Sequence, residues 1–260
     1  MGFACSKSAH IVLHKKPMSR IYVTETLTPH SKLILSGEVF HYLTHVLRLT
    51  VGDKLFLFNG SEHEYEACIQ EIGKTKVTLS ILSQTKVNKE SPIQIHIAQA
   101  IPKGQKLDDL IPKITELGIT SLQPILSKRT IMQKVSENKL KRWESIARHA
   151  SEQCGRTKVP QVYTPLRLEV FLKQAFLGEK ILFYELETAK SFQDILQNTK
   201  AKTYTLLIGP EGGFTQEEVA LALQNQWHGA SLGKRILRTE TVAPCVSAIL
   251  QYVKGDLNHL

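Results

Sequence analysis

The sequence predicts an α/β protein built from two parts, a small β-barrel with one helix and a parallel sheet covered by helices. Short apolar strands separated by Gly-Asp, Asn-Gly and Gly-Lys turn signals run from residue 20 to about residue 82, as in an all-β domain. From residue 93 onward, strands alternate with helical segments, and this alternation predicts a parallel sheet covered on both faces. The polar, aperiodic stretch between them, residues 83–92, predicts the domain boundary.

Five strands and one helix are predicted in the first part. The helix, residues 37–49, has apolar residues at helical spacing, with Ser36 available as its N-cap. Asn59-Gly60 is the strongest hairpin signal. The predicted strands are RIYV (20–23), KLIL (32–35), KLFLF (54–58), EYEACI (64–69) and KVTLSIL (76–82).

The second part alternates strands with helices to the end of the chain. Its predicted strands are IQIHIA (93–98), LQPIL (122–126), KILFY (180–184), TYTLLI (203–208) and GASLG (229–233). Its predicted helices are 106–117, 137–154, 192–196, 215–225 and a last helix that ends near residue 254.

The charge of the chain favours a polyanionic partner. The net charge is +9 and the pI is near 9.3, and clustered Lys and Arg gain affinity for phosphates by releasing counterions. Between residues 128 and 158, nine Lys or Arg stand against three Glu, so +6 falls within this segment. A basic patch or a plain solvated helix face would explain it equally well. No apolar run approaches the roughly 20 residues of a membrane helix, so no membrane association is expected.

The cysteines predict neither a disulfide framework nor a metal site. The four, at positions 5, 68, 154 and 245, share no CxxC spacing, and HExxH is absent. Reduced thiols without a secretory signal predict a cytoplasmic protein. The start MGFACS fits the N-myristoylation pattern, which short sequences match by chance. Because Met18 offers an alternative start before the first strand, residues 1–17 are expected to be a disordered extension.

A glycine-rich loop follows the predicted strand 203–208, in the stretch TLLIGPEGGFTQEE. Ligands bind at the carboxyl ends of parallel strands, but neither the phosphate-loop motif nor GxGxxG is present. Glycines let backbone approach a flat or cationic ligand closely, with the Glu211 carboxylate fixed nearby. Thr215 and Glu218 have the spacing of a capping box for the next helix. A tight turn with a satisfied carboxylate is the alternative.

A second unusual loop, LGKRILRTETVAP at 232–244, again follows a strand and opens a helix. Together, the two loops resemble the signature of the bacterial small-subunit ribosomal RNA uridine-N3 methyltransferases, the E-type enzymes of the SPOUT class. The resemblance extends to KITELGITSLQPILSKRT (113–130), ASEQCGRTKVP (150–160) and FHYLTHVLRLTVGD (40–53). It covers nearly everything from Met18 to the C-terminus.

The resemblance implies a fold, a cofactor and partners. It implies a PUA-like RNA-binding β-barrel at 18–88 and a SPOUT methyltransferase domain at 89–260, tied in a deep trefoil knot. The implied cofactor is S-adenosylmethionine (SAM), and the implied partners are 16S rRNA of the small ribosomal subunit and a second copy of the chain in a homodimer. The implied cofactor-binding residues are Ile208, Gly209, Glu211, Gly212, Gly213, Leu232, Gly233, Ile236, Leu237, Arg238 and Thr241.

The chemistry of such a reaction suggests two catalytic candidates in the second loop. Uracil N3 is a poor nucleophile until it loses its proton, and a guanidinium would stabilise the resulting charge while a carboxylate accepts the proton. Arg238 and Glu240 could fill these roles, or form an ion pair that only shapes the loop. Glu152 and Arg156 are a second acid–base pair; a helical salt bridge is their simpler interpretation.

RNA contacts are predicted at Arg20, His41, Arg48 and Arg156, because such side chains stack on unpaired bases or contact phosphate. The chain departs from the family at two positions. Val242 stands where alanine is usual and could narrow the methionine end of the pocket, whereas Pro112 could kink its helix. Two other functions remain open at this stage: a non-catalytic RNA-binding assembly factor on the same scaffold, and a small-molecule enzyme that uses the same cofactor.

Overall fold

The computed structural model describes residues 18–87, 89–132, 134–185, 187 and 191–258. The predicted extension 1–17 and its myristoylation pattern lie outside these residues. The chain divides into two compact units. Among the described residues, the first contains 18–21, Leu27–Leu57 and Tyr65–Ser83, and the second contains Tyr22–Thr26, Phe58–Glu64 and those from Gln84 onward. The limits 18–88 and 89–260 stay a prediction.

The N-terminal part of the chain forms a five-stranded sheet, and the five predicted strands are confirmed. The strands are β1 (Arg20–Tyr22), β2 (Lys32–Ser36), β3 (Lys54–Phe58), β4 (His63–Ile72) and β5 (Lys76–Lys86), in the order β1-β3-β4-β5-β2. β3 pairs antiparallel with β4, and Asn59-Gly60 lies in their connection, as the hairpin signal predicted. Leu33 and Leu35 are buried while their neighbours on β2 are exposed, so the alternation in the sequence sets which face is covered.

The predicted helix 37–49 is shorter than expected and changes type. It consists of α1 (Gly37–His41) followed by a π-helical segment (Tyr42–Val46). The N–H of Leu47 donates to the carbonyl of Tyr42 at 2.9 Å, which is the i to i+5 bond of a π-helix. Ser36 occupies the N-cap position, but its side chain makes no capping hydrogen bond.

The C-terminal part forms a seven-stranded sheet in which the strand pairings are parallel, as the alternation of strands and helices predicted. Its order is β12-β10-β11-β6-β7-β8, with β9 also pairing with β7. The strands are β6 (Gln94–Ala100), β7 (Ser121–Leu126), β8 (Gln161–Val162), β9 (Leu166–Arg167), β10 (Glu179–Phe183), β11 (Thr203–Ile208) and β12 (His228–Ala230). The short strands β8 and β9 were not predicted, because two residues carry no periodicity.

Helices cover both faces of this sheet. One core contains residues of α2, α3, α5 and α7, and another contains residues of α4 and α6. The helices are α2 (Lys106–Glu116), α3 (Glu137–Cys154), α4 (Leu168–Leu172), α5 (Phe192–Gln197), α6 (Gln216–Gln224) and α7 (Thr239–Val253). α2 is continuous through Pro112. α4 was not predicted.

The sheet order brings three strand ends together. β10 lies between β12 and β11, and Phe183 at its end is in register with Ala230 on one side and Ile208 on the other. β11 continues to β6, where Ile208 is in register with Gln99. The loops that follow β10, β11 and β12 therefore leave the same edge of the sheet, where parallel sheets bind ligands.

Candidate cofactor and substrate site

A cavity of about 530 Å³ opens at this edge of the sheet. Its wall consists of the ends of β10, β11 and β12, the first turn of α7, and two loops: the first loop, residues 209–215, and the second loop, residues 231–238. Among the residues that the resemblance implied for the cofactor, all except Thr241 line the cavity. Both catalytic candidates, Arg238 and Glu240, line it as well. Further lining residues that the sequence did not point to are Lys106, Phe183, Tyr184, Glu185, Ser231 and Thr239.

Glu211 stands among glycines because its carboxylate fastens the first loop. Oε1 accepts hydrogen bonds from Lys106 Nζ at 2.9 Å and from the backbone N–H of Lys103 at 3.0 Å. Partial burial opposes ionisation of Glu211, but these hydrogen bonds outweigh it and hold the pKa of the carboxyl below its ordinary value. The same hydrogen bond, which Lys106 donates to Glu211, raises the pKa of the Lys106 ammonium. Glu211 thus links the first loop to the segment between β6 and α2.

Lys106 also reaches the second catalytic candidate. Its ammonium lies 3.4 Å from Oε2 of Glu240, in the first turn of α7. Within the residues that the structure describes, Arg238 forms no ion pair, and its side chain is exposed on the cavity wall. The interpretation of Arg238 and Glu240 as a mutual ion pair is therefore wrong. Arg238 keeps its guanidinium donors for a ligand, whereas Glu240 is held by Lys106.

A buried hydrogen-bond chain joins the first loop to α7. Thr239 Oγ1 donates to the carbonyl of Gly209 at 2.5 Å, and Gln99 Nε2 donates to Thr239 Oγ1 at 2.9 Å. Thr239 is 5% exposed and Gln99 is fully buried. Because unpaired buried polar groups are costly, these bonds fix the distance between the end of β11 and the start of α7. The sequence pointed to neither Thr239 nor Gln99 as part of the site.

The far end of the first loop is fixed as well. Thr215 and Glu218 form the predicted capping box of α6. Glu218 Oε1 also accepts a hydrogen bond from the backbone N–H of Lys128 at 2.7 Å, and Arg129 Nη1 donates to the carbonyl of Gly212. The loop between β7 and α3, where the basic segment begins, thus packs against the first loop.

The second loop differs from the first in that most of its backbone is not fastened by hydrogen bonds to other described residues. Between Leu232 and Leu237, no backbone N–H or C=O forms a hydrogen bond with another described residue. Gly233 has φ +93° with open space around the position of a Cβ, and the Ile236 side chain is 84% exposed. These backbone groups remain available to a ligand or to another chain.

None of the predicted RNA-contact residues lines the cavity; these are Arg20, His41, Arg48 and Arg156. Arg156 is 7% exposed; it forms an ion pair with Glu90 at 2.7 Å and donates to the carbonyls of Thr115 and Ile119. This placement favours a structural role for Arg156 and corrects the expectation that it contacts RNA. Glu152 is also buried, with Oε2 3.0 Å from Nδ1 of His149.

Three candidates lie in the N-terminal part of the chain. Arg20 is half-buried, while His41 and Arg48 are exposed, and Arg48 has φ +54°. The His41 ring stacks on that of His45, with centroids 4.6 Å apart and planes 10° apart. Thr44 Oγ1 donates its proton to the carbonyl of Phe40 at 2.7 Å, so it accepts from Nδ1 of His45 at 2.8 Å. Exposed, stacked rings of this kind are suited to contact an unpaired base.

The described part of the chain has neither a metal-binding cluster nor a membrane-spanning helix. No group of three or more His, Cys, Asp or Glu side chains is placed to hold a metal ion. No helix there combines the length and the apolar character needed to cross a membrane.

Comparison with known proteins identifies two domain families. Residues 89–251 match the model of an RNA methyltransferase domain. Residues 35–82 match that of an RNA methyltransferase PUA domain. The first match covers the seven-stranded sheet and the cavity, and the second covers most of the five-stranded sheet.

Relatives and solved structures agree with these matches. The ribosomal RNA small subunit methyltransferases E of Buchnera aphidicola (subspecies Schizaphis graminum) and Bacillus subtilis are 32% and 31% identical, over 94% and 85% of this chain and 100% and 92% of their own lengths. A Legionella pneumophila protein described as a methyltransferase, solved with SAM, is 36% identical with a TM-score of 0.85, over 92% of this chain and 99% of its own. The Neisseria gonorrhoeae methyltransferase E, also bound to SAM, is 30% identical with a TM-score of 0.83, over 92% and 99%. The chain therefore belongs to the ribosomal RNA small subunit methyltransferase E family.

Proposed function

We propose that this protein transfers a methyl group from SAM to N3 of a uridine in the 16S rRNA of the small ribosomal subunit. The observation that supports this proposal most strongly is the cavity at the ends of β10, β11 and β12, in a chain similar over nine-tenths of its length to two proteins solved with SAM. A ribosomal substrate places the protein in the cytoplasm, as the sequence led us to expect.

The cavity fits the proposed cofactor. Its volume of about 530 Å³ lies within the range of about 300–1,000 Å³ typical of small-molecule sites. The unpaired backbone groups of residues 232–237 can read an adenine through its ring nitrogens and amino group. The glycines of the first loop let backbone approach the ligand closely. The adenosyl group would thus be held by backbone at Ile208, Gly209, Leu232, Ile236 and Leu237.

SAM supplies an electrophilic methyl group on a sulfonium. The chain must align the uridine with this methyl group, exclude water and manage one proton. In our proposal Glu240 accepts the N3 proton, so that the N3 electron pair becomes free to form the new N–C bond while the bond from the methyl group to sulfur breaks and S-adenosylhomocysteine is left. Arg238, which has no ion pair among the described residues, stabilises the negative charge on the two carbonyl oxygens beside N3. Lys106 beside Glu240 orients this carboxylate.

In our proposal both domains of the chain contact the RNA. The PUA domain would contact RNA through Arg20, His41 and Arg48, and the basic segment 128–158 would contact phosphates. N3 lies on the Watson–Crick edge, so the target uridine must be unpaired or flipped out before it reacts.

We also infer that two copies of the chain pair. The exposed Ile236 and the unpaired backbone of the second loop would then be covered by a partner subunit. Light scattering on the purified protein should give twice the mass of 29.3 kDa. A monomer at micromolar concentration would contradict this part of the proposal.

Calorimetry with SAM, followed by a methyl-transfer assay on small subunits, tests the main proposal. The expected result is heat of binding and one methylated uridine, mapped to N3 by mass spectrometry. Methylation of another atom would overturn the N3 assignment. Binding of RNA with neither SAM binding nor transfer, on subunits that an active relative methylates, would show an assembly factor without catalysis.

A further inference from the structure

A carboxylate that the sequence did not point to lies in the middle of the cavity wall. Glu185 follows β10 by two residues and lines the cavity. Because β10 lies between β12 and β11, the loop that contains Glu185 leaves the sheet between the first and second loops.

Glu185 differs from the other carboxylates of the wall in its partners. Glu211 and Glu240 both contact the Lys106 ammonium, at 2.9 and 3.4 Å. Glu185 is exposed and has neither a hydrogen bond nor an ion pair within the described ranges. It is therefore the lining carboxylate whose acceptor oxygens are free for a ligand.

The Glu185 carboxylate lies next to Gly213 of the first loop. A Cβ built on Gly213 would lie 2.9 Å from Oε1 of Glu185, and Gly213 has φ +68°. The absence of a side chain at Gly213 thus leaves the space that the carboxylate occupies. Loop and carboxylate form one surface of the cavity.

An ionised carboxylate accepts two hydrogen bonds side by side. Two neighbouring hydroxyl groups are the matching donor pair, and an acidic residue near a strand end takes this role for ribose in other nucleotide-binding sheets. Resting on the proposed function above, we propose that Glu185 binds the 2′- and 3′-hydroxyls of the ribose of the adenosyl cofactor. Glu185 would then fix the sugar between the adenine side and the sulfur side of the cavity.

The alternative is that the free Glu185 carboxylate interacts with the positive charge of the SAM sulfonium and not with the ribose. S-adenosylhomocysteine separates the two, because it has the same ribose but a neutral sulfur. A ribose contact affects SAM and S-adenosylhomocysteine equally, whereas a charge contact affects SAM alone.

Calorimetry with wild type and Glu185→Gln tests the proposal. The variant should bind SAM and S-adenosylhomocysteine about 10- to 100-fold more weakly, the range for loss of charge-assisted hydrogen bonds. Glu169→Gln, which changes an exposed glutamate of α4 outside the cavity wall, should bind both as wild type does. Unchanged thermal unfolding would show that Glu185→Gln is folded; if it is not, Glu185→Asp provides the same comparison.

A second set of three ligands makes the test specific for the sugar. Wild type should bind 5′-methylthioadenosine more tightly than its 2′-deoxy and 3′-deoxy analogues, and in Glu185→Gln this preference should shrink or vanish. An equal preference in both proteins, equal affinity of both proteins for S-adenosylhomocysteine, or a loss confined to SAM would each overturn the proposal. Failure of wild type to bind any of these ligands would instead overturn the proposed cofactor itself.

Discussion

The two loops of the cavity differ in how they are held. The first loop is fastened at four points: Glu211 to Lys106, the Gly212 carbonyl to Arg129, the Gly209 carbonyl to Thr239, and Thr215 to Glu218. The second loop makes no backbone hydrogen bond between residues 232 and 237 with any described residue. This difference indicates that the first loop is a preformed wall, whereas the backbone groups of residues 232–237, unpaired among the described residues, are accessible to the ligand and the second subunit that we propose.

The largest expected effect is on Arg238, the residue of the second loop that we propose stabilises the charge on the uracil. Arg238→Ala should lower kcat about 10²- to 10³-fold, as the removal of one donor to a developing anion does, while the affinity for SAM changes little. Single-turnover methyl transfer and calorimetry measure the two quantities. The kcat of Arg238→Lys should lie between those of wild type and Arg238→Ala, because lysine keeps the positive charge but lacks the planar guanidinium with its paired donors. A wild-type rate in Arg238→Ala would remove Arg238 from the reaction.

Two glycines allow a matched comparison of the loops. Gly213 and Gly233 both have positive φ, but only Gly213 has a side chain, Glu185, where a Cβ would go. Gly233→Ala should cost about 1–2 kcal/mol from backbone strain alone. Gly213→Ala should cost about the same, because its methyl group meets only the far end of the exposed Glu185 side chain, which has no partner among the described residues and can turn aside. Urea unfolding measures both free energies. A clearly greater cost at Gly213 would contradict the description of Glu185 as an unpaired side chain.

The next smaller effect is on stability and concerns the buried hydrogen bonds that join the first loop to α7. Thr239→Val removes the hydroxyl that donates to Gly209 and accepts from Gln99, so we expect a loss of about 1–2 kcal/mol of stability. Thr239→Ser keeps the hydroxyl and should lose less. If valine and serine cost the same in thermal or urea unfolding, the hydrogen bonds do not fasten the loop.

The smallest effect concerns acid stability. Because the pKa of Glu211 is lowered in the folded protein, its contribution to stability is present above its ordinary value of 4.5 and is lost as pH falls through the lower, folded value. Lys106→Met removes the main partner, so the free energy of unfolding should fall less steeply below pH 4.5 than in wild type. Parallel curves for the two proteins over this range would show that the ion pair adds nothing.

The sequence predicted the glycine-bearing loops well because their signals are local. Gly209, Gly212 and Gly213 follow an apolar strand directly, and a capping box opens the next helix. Lys106 at the start of α2, Gln99 near the end of β6 and Glu185 after β10 come from distant parts of the chain. Only the strand order brings Lys106 and Glu185 to the cavity wall and Gln99 into contact with the lining residue Thr239. Since no periodicity encodes that order, these residues were missed.

Other errors have the same origin. Arg156 was expected to face RNA, but its partner Glu90 lies 66 residues earlier in the chain. The predicted helix 37–49 has ordinary helical spacing, yet Tyr42–Val46 within it form a π-helix. The trefoil knot, a property of the path of the whole chain, came only from the resemblance and stays a prediction.

Hydrogen–deuterium exchange with and without SAM tests the central claim, that a preformed first loop and an open second loop enclose the cofactor. We expect the amides of residues 232–237 to exchange fast in the free protein and to become protected by SAM, while those of the first loop change little. Protection confined to other segments, or no protection in the second loop at saturating SAM, would contradict the account.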